Sequence, residues 1–378
     1  MNTGTGANLP ALRSHNTALV LGLLRAAGTE GVSRLELAGQ TGLTPQAVSK
    51  ITARLRGDGL AVDAGRRAST GGKPRTVLKL VPGAAHAVGL HLDRDELTAV
   101  LVDLAGAVVG AHTVPLDLGA GAEVVMETAQ GEVAALTGAG AREGRRRPVL
   151  GAGVAMPGPL DHLAGVPHRV TGFPQWDGFP LRDALATRLG LPVVLDKDTN
   201  AAALALALRR DAPEDAAGSF AYLHVGTGLG AGLVLDGAVY RGGRTAAGEF
   251  GHQTLQLDGP PCGCGGRGCL EALCLAAVAR GDTAEAARVL GAGAANLVGL
   301  LDIDRVLLGG RVVAAAPGRF AEGVAAVLAD RARRSGEPPV PVALAEDPAR
   351  PAHPGRADSG HLIAEGAAQL VLAPVLGR

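Results

Sequence analysis

From Ala18 to Ala27 the chain is an apolar, leucine-rich run that stops at Gly28, the pattern of a packed helix with a glycine behind it. Ser33 opens a second helical stretch, three residues ahead of Glu36. That spacing predicts a capping box, in which the serine hydroxyl accepts a first-turn amide proton while the glutamate reaches back. Thr41-Gly42-Leu43 is a short turn, and Thr44-Pro45 then supplies a capping hydroxyl followed by proline at the first helical position. On this third helix Ala47, Val48, Ile51 and Leu55 are expected to face inward. Gln46, Ser49, Lys50 and Arg54 gather on the opposite side at helical spacing. After Gly57-Asp58-Gly59, the segments Leu60–Val62 and Val77–Leu80 read as two strands, joined by a loop with Arg66, Arg67, Gly71, Gly72, Lys73 and Arg75. Helix, turn, helix and hairpin predict a winged helix-turn-helix over residues 1–82.

Val81-Pro82-Gly83 marks a boundary. Beyond it the pattern changes to short β-rich runs: Val88–Leu92, Thr98–Val102, Val149–Val154, Val193–Leu195, Ala221–Val225 and Val306–Leu308. Alanine- and leucine-rich helical stretches alternate with them, which predicts an α/β unit over residues 83–378. No short tandem repeat interrupts it. Residues 336–360, rich in Pro, Gly and charge, are expected to form a loose surface loop.

Composition sharpens this picture in two ways. Aromatic residues are only 2% of the chain, so its cores must be built from Ala, Val and Leu. The formal net charge is zero, yet residues 1–82 hold eleven Lys and Arg against four Asp and Glu. A basic front on an acidic body points to an anionic partner for the front, with nucleic acid the first candidate. Gln46, Ser49, Lys50 and Arg54 would then read base edges and phosphates, with Lys73 and Arg75 reaching DNA from the wing. The first thirty residues lack the pattern of a secretory signal, and a cytoplasmic protein is expected.

The most specific chemistry lies between Gly248 and Glu271. Cys262, Cys264 and Cys269 follow a C-x-C-x4-C spacing with His252 upstream, and glycines between them let the loop wrap tightly. Such a Cys3His set suits a closed tetrahedral zinc site. Cys274 sits in an apolar helical stretch and is expected to be a packed thiol.

These residues resemble the signature of the ROK family of repressors, uncharacterised reading frames and sugar kinases. The winged-helix front is similar to that of the family's repressor branch, such as the xylose and N-acetylglucosamine repressors. Met156-Pro157-Gly158-Pro159, Trp176 with Phe179-Pro180-Leu181, Asp196–Ala202, Gly226–Gly230 and Gly309-Gly310 extend the resemblance along the chain. It implies an actin-like fold of two lobes with a ligand between them, and a homodimer or homotetramer. By the same resemblance zinc is held by His252, Cys262, Cys264 and Cys269, while Asp198, Glu249, His252 and Glu271 bind sugar hydroxyls. Asp198 falls where the kinases keep their catalytic aspartate.

The pattern breaks where those kinases wrap the ATP phosphates with an Asp-x-Gly-Gly-Thr loop. Here His91 stands in place of the Asp, and Asp93-Arg94 in place of the two glycines. Asp93, Asp95 and Glu96 are expected to repel a triphosphate, so no enzymatic activity is expected. Lys197 replaces an asparagine that contacts sugar, and Gly172 replaces another. Lys197 is expected to pair with Asp196 or Asp198; the alternative is contact with an anionic ligand. The sequence as a whole predicts a sugar-responsive transcriptional repressor, its operator an inverted repeat. The alternatives are a sugar kinase with an accessory DNA-binding domain and a regulator controlled by a protein partner.

Overall fold

The computed structural model describes residues 15–67, 75–138, 148–209, 218–345 and 361–377. The front of the chain folds as α1 (His15–Ala27), β1 (Val32–Ser33), α2 (Arg34–Thr41), α3 (Pro45–Gly57), β2 (Ala61–Arg67) and β3 (Arg75–Leu80). The capping box forms: Glu36 N–H donates to Ser33 Oγ at 3.3 Å and Ser33 N–H to Glu36 Oε2 at 2.7 Å. Thr44 caps α3 by accepting from Ala47 N–H at 3.2 Å. Val48, Thr52 and Leu55 are the buried stripe of α3, whereas Ala47 and Ile51 are half-buried. Thr52 takes the inward place expected of them because its hydroxyl donates to Val48 O at 2.8 Å, so burial leaves no polar atom unmet. The wing strands are longer than their apolar cores suggest, and β1 joins them in the order β1-β3-β2.

Next come β4 (His86–Leu92), β5 (Glu96–Asp103), β6 (Val108–Pro115), α4 (Ala122–Gly138), β7 (Val149–Met156), the ribbon β8 (Leu160–Asp161) with β9 (Val166–Pro167), α5 (Leu181–Leu189) and β10 (Val193–Lys197). After α6 (Asp198–Ala207) follow β11 (Phe220–Val225), β12 (Leu229–Leu235), β13 (Ala238–Val239), α7 (Leu270–Ala279) and α8 (Thr283–Leu301). The last elements are β14 (Arg305–Gly309), α9 (Arg311–Ala315), α10 (Pro317–Ser335), β15 (Val342–Leu344) and α11 (Leu362–Val375). The two five-stranded sheets run β10-β7-β4-β5-β6 and β13-β12-β11-β14-β15. Counted within its own sheet, each has the order third, second, first, fourth, fifth. The chain has thus built the same half twice, giving two lobes.

Residues 342–344, expected in a loose loop, form an edge strand, with Val306, Leu307 and Leu308 of β14 paired to Val342, Ala343 and Leu344. Residues 346–360 lie outside the described residues. By length and composition α8 could cross a membrane, but Ala286, Leu290, Ala294 and Val298 are packed in the second lobe's core.

Helices α6 and α11 pack against each other between the sheets. Their contact is backbone-close: a β-carbon on Gly366 would come within 1.8 Å of Ala201 O, and one on Gly153 of β7 within 1.7 Å of Ala367 O. Only glycine permits that approach. The far end of α11 meets the front of the chain. Leu21 and Leu24 of α1, Leu55, Leu60 and Leu78 share one core with Ala87, Val100, Leu372 and Leu376. Arg25 fixes the joint, donating through Nε to Ala105 O at 3.1 Å and through Nη1 to Gln369 Oε1 at 3.2 Å.

Candidate ligand cleft and metal centre

Phe250–His252 is a single 3-10 turn, and Cys269 occupies the cap position of α7. Between them the loop folds back on itself, Cys262 N–H donating to Gly266 O at 2.9 Å and Gly268 N–H to Pro260 O at 2.8 Å. One ligand atom from each of His252, Cys262, Cys264 and Cys269 falls within 4.8 Å of the others. His252 Nδ1 is 3.8 Å from Cys262 Sγ, and Cys264 Sγ is 3.8 Å from Cys269 Sγ. A tetrahedron with zinc–sulfur bonds of about 2.3 Å has edges of about 3.8 Å, so the donor set fits a zinc ion in size and type. Burial and the neighbouring thiols push Cys269 up to about 12. A divalent cation reverses this, because metal-bound thiols are deprotonated. Cys274 is buried away from the set, as expected, with its thiol donating to Ala286 O.

His252 also lines the cleft between the lobes, a cavity of about 90 Å³ that Asp198, Glu249 and Glu271 line with it. With Nδ1 turned to the cysteines, Nε2 is the nitrogen left for a ligand. Asp198 opens α6 where β10 ends. Its Oδ1 accepts from Thr199 N–H at 2.6 Å, and burial, helped by the nearby Asp93 and Glu249 carboxylates, pushes it up to about 7. Glu271 Oε2 accepts from Leu229 N–H at 2.8 Å, which fixes that carboxylate against the turn between β11 and β12.

Lys197 corrects an expectation. It pairs with neither Asp196 nor Asp198; its buried ammonium donates to Glu249 Oε1 at 3.0 Å and to Ala247 O. Asp196 is already saturated, accepting from Lys197 N–H and Asn200 Nδ2, both at 2.8 Å, and from Arg241 Nε at 2.7 Å. Both ion pairs tie the end of β10 to the loop before His252, holding the lobes together on this side.

The first loop holds a second correction. Asp93 and Asp95 do not face the cleft as bare charges. Arg311, the first residue of α9 in the second lobe, donates to Asp95 Oδ1 and Oδ2 at 2.8 Å and to Asp93 Oδ2 at 2.9 Å. This clasp holds the Asp95 carboxyl below its usual range and the guanidinium above its own. Behind it burial lowers His91 and His224 to about 4, so both imidazoles are neutral near pH 7. Tyr222 Oη lies 3.0 Å from His224 Nδ1. Sequence reasoning missed Arg241, His224 and Arg311. Only Arg311 left a visible signal, a cation directly after Gly309-Gly310.

At the other end of the molecule Gln46, Ser49, Lys50 and Arg54 are all exposed on one side of α3. Arg54 is partly committed within the fold, its Nη2 donating to Thr17 Oγ1. Lys73 and the side chain of Arg75 lie outside the described residues.

Comparison with known proteins bears on the whole chain. A xylose repressor of Caldicellulosiruptor bescii is 28% identical over 242 residues, 64% of this chain and 59% of its own length. The DNA-binding transcriptional dual regulator NagC of Escherichia coli is 30% identical over 271 residues, 70% of this chain and 64% of its own. The chain thus matches about six tenths of the length of these relatives. The crystal structure of a ROK family transcriptional regulator, homologous to the Escherichia coli MLC protein, superimposes with a TM-score of 0.74. It covers 96% of this chain and 98% of that one at 21% identity, and so shares the fold throughout, front included. The family profile described as ROK family matches residues 87–278. With half of its length matched in this way, the chain belongs to the ROK family.

Proposed function

We propose that the protein is a sugar-responsive transcriptional regulator, a repressor that holds operator DNA with α3 and the wing and releases or grips it according to what fills the cleft. One observation carries this reading. The front of the chain shares a continuous core with α11, α11 packs on α6, and α6 begins at Asp198 in the cleft. A ligand that favours one lobe arrangement over another thereby has a packed route to the DNA-binding end. Relatives described as a xylose repressor and as a DNA-binding transcriptional dual regulator support the same reading.

On this reading Asp198, Glu249, His252 and Glu271 bind sugar hydroxyls. Their buried acceptors discriminate against analogues that lack the hydroxyl, which would leave them unpaired. Zinc held by His252, Cys262, Cys264 and Cys269 would supply structural cross-linking of the loop. Those residues fix the imidazole that faces the ligand. Gln46, Ser49, Lys50 and Arg54 contact the major groove, and a symmetric dimer would read an inverted repeat in the cytoplasm.

The kinase alternative has a specific observation in its favour. ROK sugar kinases of known structure match three quarters of the chain, and Asp198 near pH 7 is a competent proton acceptor. Against it stand the loss of the Asp-x-Gly-Gly-Thr pattern at His91, Asp93 and Arg94 and the Arg311 clasp, which ties Asp93 and Asp95 of that loop to the second lobe. Selection of bound fragments from sheared genomic DNA tests the regulator reading. Full-length protein should enrich discrete sites, and Gln46→Ala or Ser49→Ala should change which sites are enriched. Enrichment without sequence preference would refute it.

A further inference from the structure

We propose that the cleft contains an anion subsite built around Arg94, and that the effector is a monosaccharide bearing a phosphate or a carboxylate. This rests on the carbohydrate reading of the cleft given above and names the ligand's class.

The cations around the cleft differ in what they hold. Lys197 is committed to Glu249 and Ala247 O, Arg241 to Asp196, and Arg311 to Asp93 and Asp95. Arg94 lines the cavity and, among the described residues, is paired with no carboxylate. Its guanidinium carbon lies 5.3 Å from the centroid of the Phe173 ring. A guanidinium over an aromatic face keeps its N–H donors in plane and available at the edge. Its main chain is held at both ends, N–H donating to Asp93 Oδ1 at 2.7 Å and O accepting from Leu118 N–H at 3.1 Å. Space is also kept beside the fork. A β-carbon on Gly172 would sit 3.5 Å from Arg94 Nη1, and Gly172 has none.

The acids facing Arg94 across the cavity do not claim it. Asp93 is clasped by Arg311, Glu249 by Lys197, and Glu271 accepts a backbone N–H. Asp198, held up near 7, carries less than a full charge at neutral pH. A neutral sugar would leave the Arg94 fork to water. A phosphate or carboxylate on the sugar gives it a bidentate, charge-assisted partner. Arg94 therefore offers the cleft a cation that, among the described residues, no carboxylate claims.

Isothermal titration of the full-length, zinc-loaded protein compares each neutral sugar with its charged forms: glucose with glucose 6-phosphate and glucuronate, N-acetylglucosamine with its 6-phosphate, and inorganic phosphate alone. At least one charged form should bind roughly tenfold or more tightly than its neutral parent, the size of one charge-assisted contact. The phosphate and carboxylate arms separate the two sources of charge. Arg94→Gln should bring that ratio close to one, and Arg94→Lys should keep part of it, with melting temperature and zinc content showing that each variant is folded. If neither variant folds, the wild-type ratio decides alone. Neutral sugars that bind as tightly as their charged forms, or a preference that survives in Arg94→Gln, overturn the proposal and leave the carbohydrate reading intact. Binding of no sugar in either charge state overturns that reading and this proposal together.

Discussion

The two ends of the cleft have been treated differently. At one end Asp198, Glu249, His252 and Glu271 surround a single cavity, each fixed by a backbone amide, an ion pair or the cysteine cluster. At the other, Arg311 of the second lobe draws Asp93 and Asp95 of the first into an exposed clasp. On the proposed reading, the difference separates recognition from catalysis. Holding a polyol needs buried, positioned acceptors. Phosphoryl transfer needs in addition a cradle that neutralises phosphate charge.

If the metal cluster is what stiffens the binding end, its loss should give the largest effect. Cys264→Ser or His252→Ala should abolish binding of about one zinc per chain and lower the melting temperature together with ligand response, since structural zinc contributes folding energy directly. Elemental analysis paired with thermal melting reads both. Normal stability without metal would remove the cluster from the account.

Next in size is the contrast between the two ion-pair sets that join the lobes. Asp196 is 1% exposed, so Arg241→Ala leaves a buried carboxylate without its charge partner and should cost about 3 kcal/mol in denaturant unfolding. Arg311 is 44% exposed in its side chain, and Arg311→Ala should cost about 1 kcal/mol or less. Equal costs would mean that the clasp is as structural as the buried pair.

The titration of Asp198 sharpens the same contrast. Its folded pKa of about 7 lies above the unfolded value, so between about pH 4 and 7 the folded state binds the extra proton. Stability from this group is therefore greatest at low pH and falls as pH rises through that window. His91 and His224, lowered to about 4, act in the opposite sense, their contribution being lost as pH falls from about 6.5 towards 4. The difference between wild type and Asp198→Asn isolates the aspartate. The variant should gain relative stability towards pH 8, by a few kcal/mol at most. Parallel melting curves across pH would place Asp198 in a solvated setting instead.

Much of this was legible in the residues. The capping hydroxyls of Ser33 and Thr44 stand where the sequence puts them, and each of the six β-rich runs of the larger unit is a strand. The cysteine spacing alone pointed to a metal. What escaped has physical causes. β6 lies at a sheet edge with most side chains partly or fully exposed, so it lacks the apolar continuity of β4, buried at all seven positions. β12 is interrupted by glycines, which carry no strand signal: Gly232 is there because Thr199 O of α6 would lie 2.0 Å from any β-carbon. Lys197, Arg241 and Arg311 have partners 52, 45 and more than 200 residues away. Pairing at that range is a property of the closed fold and leaves no local pattern.

The most direct test of the account is the affinity of full-length protein for one selected operator, by fluorescence anisotropy, with and without the sugar that binds its cleft. Coupling through α6, α11 and α1 predicts a change in operator affinity of roughly fivefold or more. It should be lost in Asp198→Ala, and incubation with ATP, magnesium and the same sugar should release no ADP. Operator affinity that stays constant while the sugar demonstrably binds, or sugar-dependent ADP release abolished by Asp198→Ala, would contradict it.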